Sequence, residues 1–280
     1  MLRWFLSSLL AISLLLTGCA QAVAPSDTAS SSANSAKTTT ETKAPQSEAK
    51  SDNKTATKAD SKSDAKTSTK NETKPSAKSE SEKDSKLEAA LAKFPQLKGT
   101  ATVELQLKSG KVIIEVDGDN APVTAGNFID LVKKEHYNGL TFHRVVKDPT
   151  PFVVQGGDPK GNGTGGFIDP KTGQERNIPL EILPEGSKIP VYGNVLGSAT
   201  QRPKLRHNKG AVAMARSQSP NSASCQFYIA LDDIYFLDGS YAVFGYVKDG
   251  MDLVSKIEVG DKIESIRIVN GADNLQEPAA

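Results

Sequence analysis

The sequence predicts a single mainly-β domain, over residues 94–272, behind a long polar leader. Three observations predict it. Thr102–Leu107 and Val112–Val116 alternate apolar and polar residues and are separated by Ser109 and Gly110, the pattern of a β-hairpin. Further short β-like runs recur between Gly- and Pro-containing segments, the pattern of a sandwich or a closed barrel; period alone does not choose between the two. From Ser26 to Lys86 there is no Val, Ile, Leu, Met, Phe, Tyr or Trp, so that stretch cannot offset its own ordering entropy. The core must come after it.

The elements follow in order. Residues 1–18 carry one charge, Arg3, then an apolar run from Leu6 to Leu16, the layout of a secretory signal too short to span a membrane. Leu16-Thr17-Gly18-Cys19 resembles the lipobox of bacterial lipoproteins, a resemblance that implies lipidation of Cys19 and a membrane anchor. Residues 19–93 read as a tether of Ser, Thr, Ala, Lys and carboxylates. Its lysines recur every fourth residue from Lys50 to Lys78, but poor helix formers and interspersed acids argue for a solvated spacer rather than a basic stripe. As a flexible coil it would reach roughly 50 Å.

In the domain, the hairpin is followed by a helix from Pro122 to about His136, with Pro in its first turn and Phe128, Ile129 and Val132 on one face. Strands are predicted at Thr141–Val146, Phe152–Gln155, Ala211–Ala215, Phe227–Ala230, Ala242–Val247 and Ile263–Val269, with a second short helix at Met251–Ile257. Gly156 to Asn208 reads as long ordered loops, and 273–280 as a short tail.

The 280 residues hold 34 basic and 33 acidic side chains, and a net charge of +1 excludes a chain-wide attraction to nucleic acid. With Cys19 lipidated, Cys225 has no intramolecular partner; it reads as a small, partly buried residue at a strand edge. Gly161 to Gly166 formally matches G-x-G-x-x-G, but Phe167 to Gly173 cannot open the helix that a nucleotide site needs. His136, His143 and His207 sit at no metal-ligand spacing, and no nucleophile elbow is present.

What remains is a set of ordered blocks: Phe142-His143-Arg144, Phe152 to Asp158, Ala213 to Arg216, Pro220 to Ile229, Leu237-Asp238-Gly239 and Val243-Phe244-Gly245. These resemble the cyclophilin-type peptidyl-prolyl isomerases from about Thr102 to Val269. The resemblance implies a closed eight-stranded antiparallel β-barrel capped by two α-helices, with a substrate groove on its outer face. It implies isomerisation of X-Pro bonds with Arg144 as the cation that stabilises the twisted amide and Gln155 as its polar partner. It places the substrate against Phe152, Val153, Ala215, Arg216, Gln226, Tyr228, Phe236, Leu237 and Tyr241, with Arg216 acting through its main chain. It implies no cofactor and no metal.

Several positions depart from the common family pattern. Phe236 stands for Trp, Tyr241 for His, Val153 for Met and Tyr228 for Phe, while Asp148 to Pro151 lengthens the link between Arg144 and Phe152. The first of these removes an indole N–H, and such replacements are expected to weaken cyclosporin binding. The reading is a monomeric isomerase of exported proteins, anchored at the extracytoplasmic face of a bacterial membrane, with proline-containing polypeptides as substrates. The alternative is a tethered module that docks proline segments without turnover.

Overall fold

The computed structural model describes residues 85–197 and 201–278. The signal segment, Cys19, almost the whole tether and its lysine repeat lie outside the described residues.

Eight strands form one antiparallel sheet: β2 (Thr100–Leu107), β3 (Gly110–Asp117), β4 (Phe142–Val146), β5 (Val153–Gly156), β8 (Ala211–Met214), β9 (Phe227–Ala230), β10 (Val243–Asp249) and β11 (Ser265–Asn270). They lie in the order β11-β2-β3-β10-β8-β9-β5-β4. Every pair is antiparallel. The β2–β3 hairpin keeps register from Thr100–Asp117 to Leu107–Gly110, and alternation sends Val103, Leu105, Leu107, Val112, Ile114 and Val116 into the core. The edge strands β4 and β11 are not paired along their lengths. Instead the start of β4 and the segment before it meet the segment before β11: Thr141 bridges Lys262, the Gly139 and Phe142 N–H groups donate to the Ile263 and Asp261 carbonyls, and Ile263 N–H donates to the Leu140 carbonyl. How far such a seam pairs depends on segments over a hundred residues apart, which no local pattern encodes.

The segment expected as loops contains a two-stranded hairpin, β6 (Glu181–Ile182) with β7 (Val191–Tyr192). Its role explains itself at α1 (Pro122–Lys133), whose N-cap Ala121 offers no side-chain acceptor. Buried Glu181 supplies one from a distance, accepting the N–H groups of Val123 at 3.1 Å and Thr124 at 2.7 Å and the Thr124 hydroxyl at 2.8 Å. A carboxylate at this end also suits the helix dipole. Burial pushes the Glu181 carboxyl upward, against the pull of those donors.

The sequence pattern marks one apolar face on α1; the structure buries every residue from Val123 to Val132. Its outer side is covered by β1 (Gln96–Leu97), which pairs with β12 (Leu275–Gln276), so residues assigned to the short tail form a strand. Gly126 permits the close approach, because a Cβ there would collide with the backbone of Pro95 and Gln96. The inner side carries Phe128, whose ring lies 4.8 Å from Phe244 and 5.4 Å from Phe227 and Tyr137. The second helix, α2 (Met251–Val254), is shorter than predicted. After Val254 the bonds tighten to i→i+3, Lys256 to Leu253 and Ile257 to Val254, turning Ile257 into the core.

Cys225 corrects a second expectation. It is wholly buried in the core rather than partly buried, its carbonyl accepts the Tyr137 hydroxyl at 3.0 Å, and burial pushes its thiol up to about 12. Such a thiol stays protonated at neutral pH and is no nucleophile.

Candidate functional site

Strands β8 and β9 are buried on both faces. Val212, Met214, Phe227 and Ile229 enter the main core, while the alternate residues Ala211, Ala213, Tyr228 and Ala230 join a second apolar cluster with Val153, Ile234 and Val243. Three alanines keep this outer surface low, so larger neighbours stand around it as walls. Phe152, Ala215, Leu237 and Tyr241 pack against it as partly buried rims.

Register then explains which side chains meet. Arg144 pairs with Gln155, Gln155 with Tyr228, Tyr228 with Ala213, and Ala213 with Val243. Residues directly opposite one another share a face, so these five form one row across five strands. One end of the row is cationic and the other apolar.

A directed chain of hydrogen bonds holds the polar end. Arg144 Nη1 donates to Gln155 Oε1 at 3.3 Å, Gln155 Nε2 to Gln226 Oε1 at 3.0 Å, and Gln226 Nε2 to the Gly165 carbonyl at 2.8 Å. Each amide is used once as acceptor and once as donor, which fixes its orientation. The Arg144 guanidinium is exposed and lies 5.6 Å from the Phe152 ring centroid. The longer link from Asp148 to Pro151 leaves this pairing intact.

The apolar end is framed by two aromatic contacts. Phe152 stacks on Phe236 with centroids 5.8 Å apart and planes at 18°, although Phe236 is 74% exposed. Tyr228 meets Tyr241 edge to face at 6.1 Å. Leu237 ends the 3₁₀ turn Tyr235–Leu237 that forms the outer wall.

Beside Gln155 opens a cleft of about 410 Å³, lined by Gly165, Ala215, Arg216, Ser222 and Gln226 among others. Arg216 was expected to act through its main chain. Its side chain is also engaged: Nε and Nη2 donate to the Ser240 carbonyl at 3.0 and 2.8 Å, and the guanidinium lies 4.6 Å from the Tyr241 ring. It braces the loop after β8 against the segment before β10.

The structure thus brings together Arg144, Phe152, Val153, Gln155, Ala215, Arg216, Gln226, Tyr228, Phe236, Leu237 and Tyr241 around one groove. Sequence reasoning missed the support beneath it. The G-x-G-x-x-G match is a turn wrapped around buried Asp158, which accepts N–H groups from Lys160 at 2.8 Å, Asn162 at 2.9 Å and Gly163 at 2.5 Å. A Cβ on Gly165 would strike the same carboxylate. The Asp158 turn presents the Gly165 carbonyl to Gln226, and so anchors the chain that ends at Arg144.

Burial alone would raise the Asp158 carboxyl, but its three N–H donors outweigh that and hold it below the usual range. A depressed carboxyl contributes stability that is present above the unfolded value, about pH 3.9, and lost as pH falls through the folded value. Asp158→Asn is therefore expected to destabilise the chain by roughly 1.5–3 kcal/mol at pH 7, with a difference that shrinks in acid. Urea unfolding at pH 7 and pH 3 measures both; a difference independent of pH would contradict the assignment.

With the geometry in place, the comparisons with known proteins are consistent. The family described as cyclophilin type peptidyl-prolyl cis-trans isomerase/CLD matches residues 102–272, more than half of the chain. A putative thylakoid lumen peptidyl-prolyl cis-trans isomerase of Synechocystis sp. is 44% identical over 196 residues, covering 66% of this chain and 51% of the relative. A chloroplastic peptidyl-prolyl cis-trans isomerase of Arabidopsis thaliana is 42% identical over 205 residues, covering 66% and 46%. A probable peptidyl-prolyl cis-trans isomerase of Brucella abortus is 39% identical over 170 residues, covering 60% of this chain and 77% of the relative. The chain spans about half the length of the first two. The match contains every groove residue described above, and the chain belongs to the cyclophilin-type peptidyl-prolyl cis-trans isomerase family.

Proposed function

We propose that this protein accelerates cis/trans isomerisation of X-Pro bonds in exported polypeptides. One observation carries the reading: an exposed guanidinium, oriented through Gln155 and Gln226, stands at the end of a row whose other end is a shallow apolar floor. The proline ring would rest over Ala213 and Tyr228 between Phe152 and Leu237.

The uncatalysed rotation faces a barrier of about 20 kcal/mol, because it breaks amide resonance. In the twisted state the proline nitrogen regains its lone pair. A guanidinium N–H aimed at that nitrogen interacts with the twisted state more strongly than with either planar one, which is the condition for acceleration. Gln155 occupies one of the five guanidinium donors and leaves others for substrate. No nucleophile or proton transfer is needed.

Cys19 is the proposed site of lipidation, which would tether the monomeric domain at the extracytoplasmic face of a bacterial membrane. The thylakoid-lumen name of the Synechocystis relative supports a compartment beyond the cytoplasm.

Exchange spectroscopy on a short X-Pro peptide tests the activity. Catalytic amounts of the chain are expected to broaden and merge the cis and trans resonances. Binding of the peptide with exchange left at its uncatalysed rate would instead establish a docking module.

A further inference from the structure

We propose that His207 is a positioning residue for the proline pocket: held by Asp238, it accepts the Tyr228 hydroxyl and so keeps the pocket floor apolar. The proposal rests on the isomerase reading for its kinetics, but not for its geometry.

Tyr228 is 5% exposed and lies in the central row of the groove, so its hydroxyl needs a buried partner. His207, 1% exposed, supplies one, with Nε2 at 2.9 Å from the phenol oxygen and the two ring planes inclined by only 13°. The tautomer follows from the other side of the ring. Asp238 Oδ1 accepts both the His207 backbone N–H and Nδ1–H at 2.9 Å, while Asp238 Oδ2 accepts Arg206 Nε at 2.9 Å. A carboxylate already paired with an arginine is an acceptor, so the proton sits on Nδ1 and Nε2 is left to accept. The Tyr228 hydrogen therefore points at His207, away from the groove.

His207 also joins floor to wall. Its carbonyl accepts the Ile234 N–H at 2.8 Å, just before the 3₁₀ turn, and Asp238 follows that turn directly. All four polar groups of one residue thus connect β9 to the segment that carries Phe236 and Leu237. Without His207, the Tyr228 hydroxyl would take a water or the substrate carbonyl as its partner. Either places a polar group where the proline ring must exclude water. A tyrosine can stand at this floor because His207 disposes of its hydrogen.

The experiment compares the full chain with its His207→Ala, Tyr228→Phe and double variants, using one X-Pro peptide for exchange kinetics and for binding. His207→Ala is expected to raise KM and Kd about tenfold, the scale of one unsatisfied buried hydroxyl, with kcat within about twofold. In the Tyr228→Phe background the same change is expected to cost under about threefold, because phenylalanine needs no acceptor. An undiminished tenfold loss in that background would overturn the proposal and leave His207 as a tie to the 3₁₀ turn alone. Should His207→Ala not fold, the imidazole ¹⁵N shifts of the unaltered chain decide: protonated Nδ1 with bare Nε2 is required, and the opposite tautomer refutes it. If the unaltered chain binds the peptide but does not speed exchange, the isomerase reading fails while the Kd comparison still tests His207.

Discussion

Arg144→Ala is expected to leave the domain folded and to lower kcat/KM for an X-Pro peptide by roughly 10–100-fold, almost entirely through kcat. The size follows from one charge-assisted hydrogen bond, about 1.5–3 kcal/mol, made fully only in the twisted state. The partition follows from geometry. The proline ring is held by the apolar floor and by Phe152 and Leu237, none of which the substitution touches, so KM should change little. Folding should survive because Arg144 is exposed and, among the described residues, its guanidinium makes one 3.3 Å bond to Gln155 and a loose approach to Phe152. Arg144→Lys should fall between, since an ammonium keeps the charge but loses the planar fork that Gln155 orients. A kcat within threefold of the unaltered value for Arg144→Ala, with kinetics measured by exchange spectroscopy, would sink the mechanism even if the protein proved to be an isomerase.

The largest effect on stability is expected at Asp130→Ala, about 3–5 kcal/mol in urea unfolding and a fall in Tm of roughly 6–20 °C. Asp130 lies in the last turns of α1 with no side-chain exposure, and accepts from Lys134 and from Arg176 Nη1, the latter at 2.6 Å. Lys134 is 39% exposed and can turn to water when the carboxylate is removed. Arg176 cannot. Its side chain is 9% exposed, its guanidinium is packed 4.6 Å from the Phe167 ring, and among the described residues its Nε and Nη2 have no hydrogen-bond partner. The alanine variant strands that cation, and the penalty of an unpaired buried charge exceeds the worth of the pair. The double variant Asp130→Ala/Arg176→Met should recover most of the loss. A loss below about 1 kcal/mol for the single variant would show that Arg176 finds water by moving, and the surface pairs such as Lys248–Glu115 would be the better comparison.

Much of the sheet was legible because a strand's alternation is local. Thr102–Leu107 and Val112–Val116 were read almost to their ends, and the structure extends the first back to Thr100 and the second to Gly110 and Asp117. The groove residues were legible for a different reason: the motif blocks that resemble the family are contiguous in sequence, so recognising them required no knowledge of which strands pair. The misses share one cause. Glu181 caps a helix 57 residues away, β12 covers α1 from the far end of the chain, and His207 meets a hydroxyl 21 residues on. Each is a polar or packing contact between segments with no common periodicity.

By itself the sequence determined the period-2 strands, the helix opened by Pro122, the stretch from Ser26 to Lys86 without large apolar residues, and the family resemblance of its motif blocks. Those properties live in a few neighbouring residues and the chemistry of their side chains. The tertiary structure alone decided that Arg144, Gln155, Tyr228, Ala213 and Val243 share one row, that Asp158 anchors the amide chain, and that His207 stands within hydrogen-bond distance of the Tyr228 hydroxyl. Row membership is a matter of register, and a slip of one residue in any strand would turn that strand's member of the row into the core.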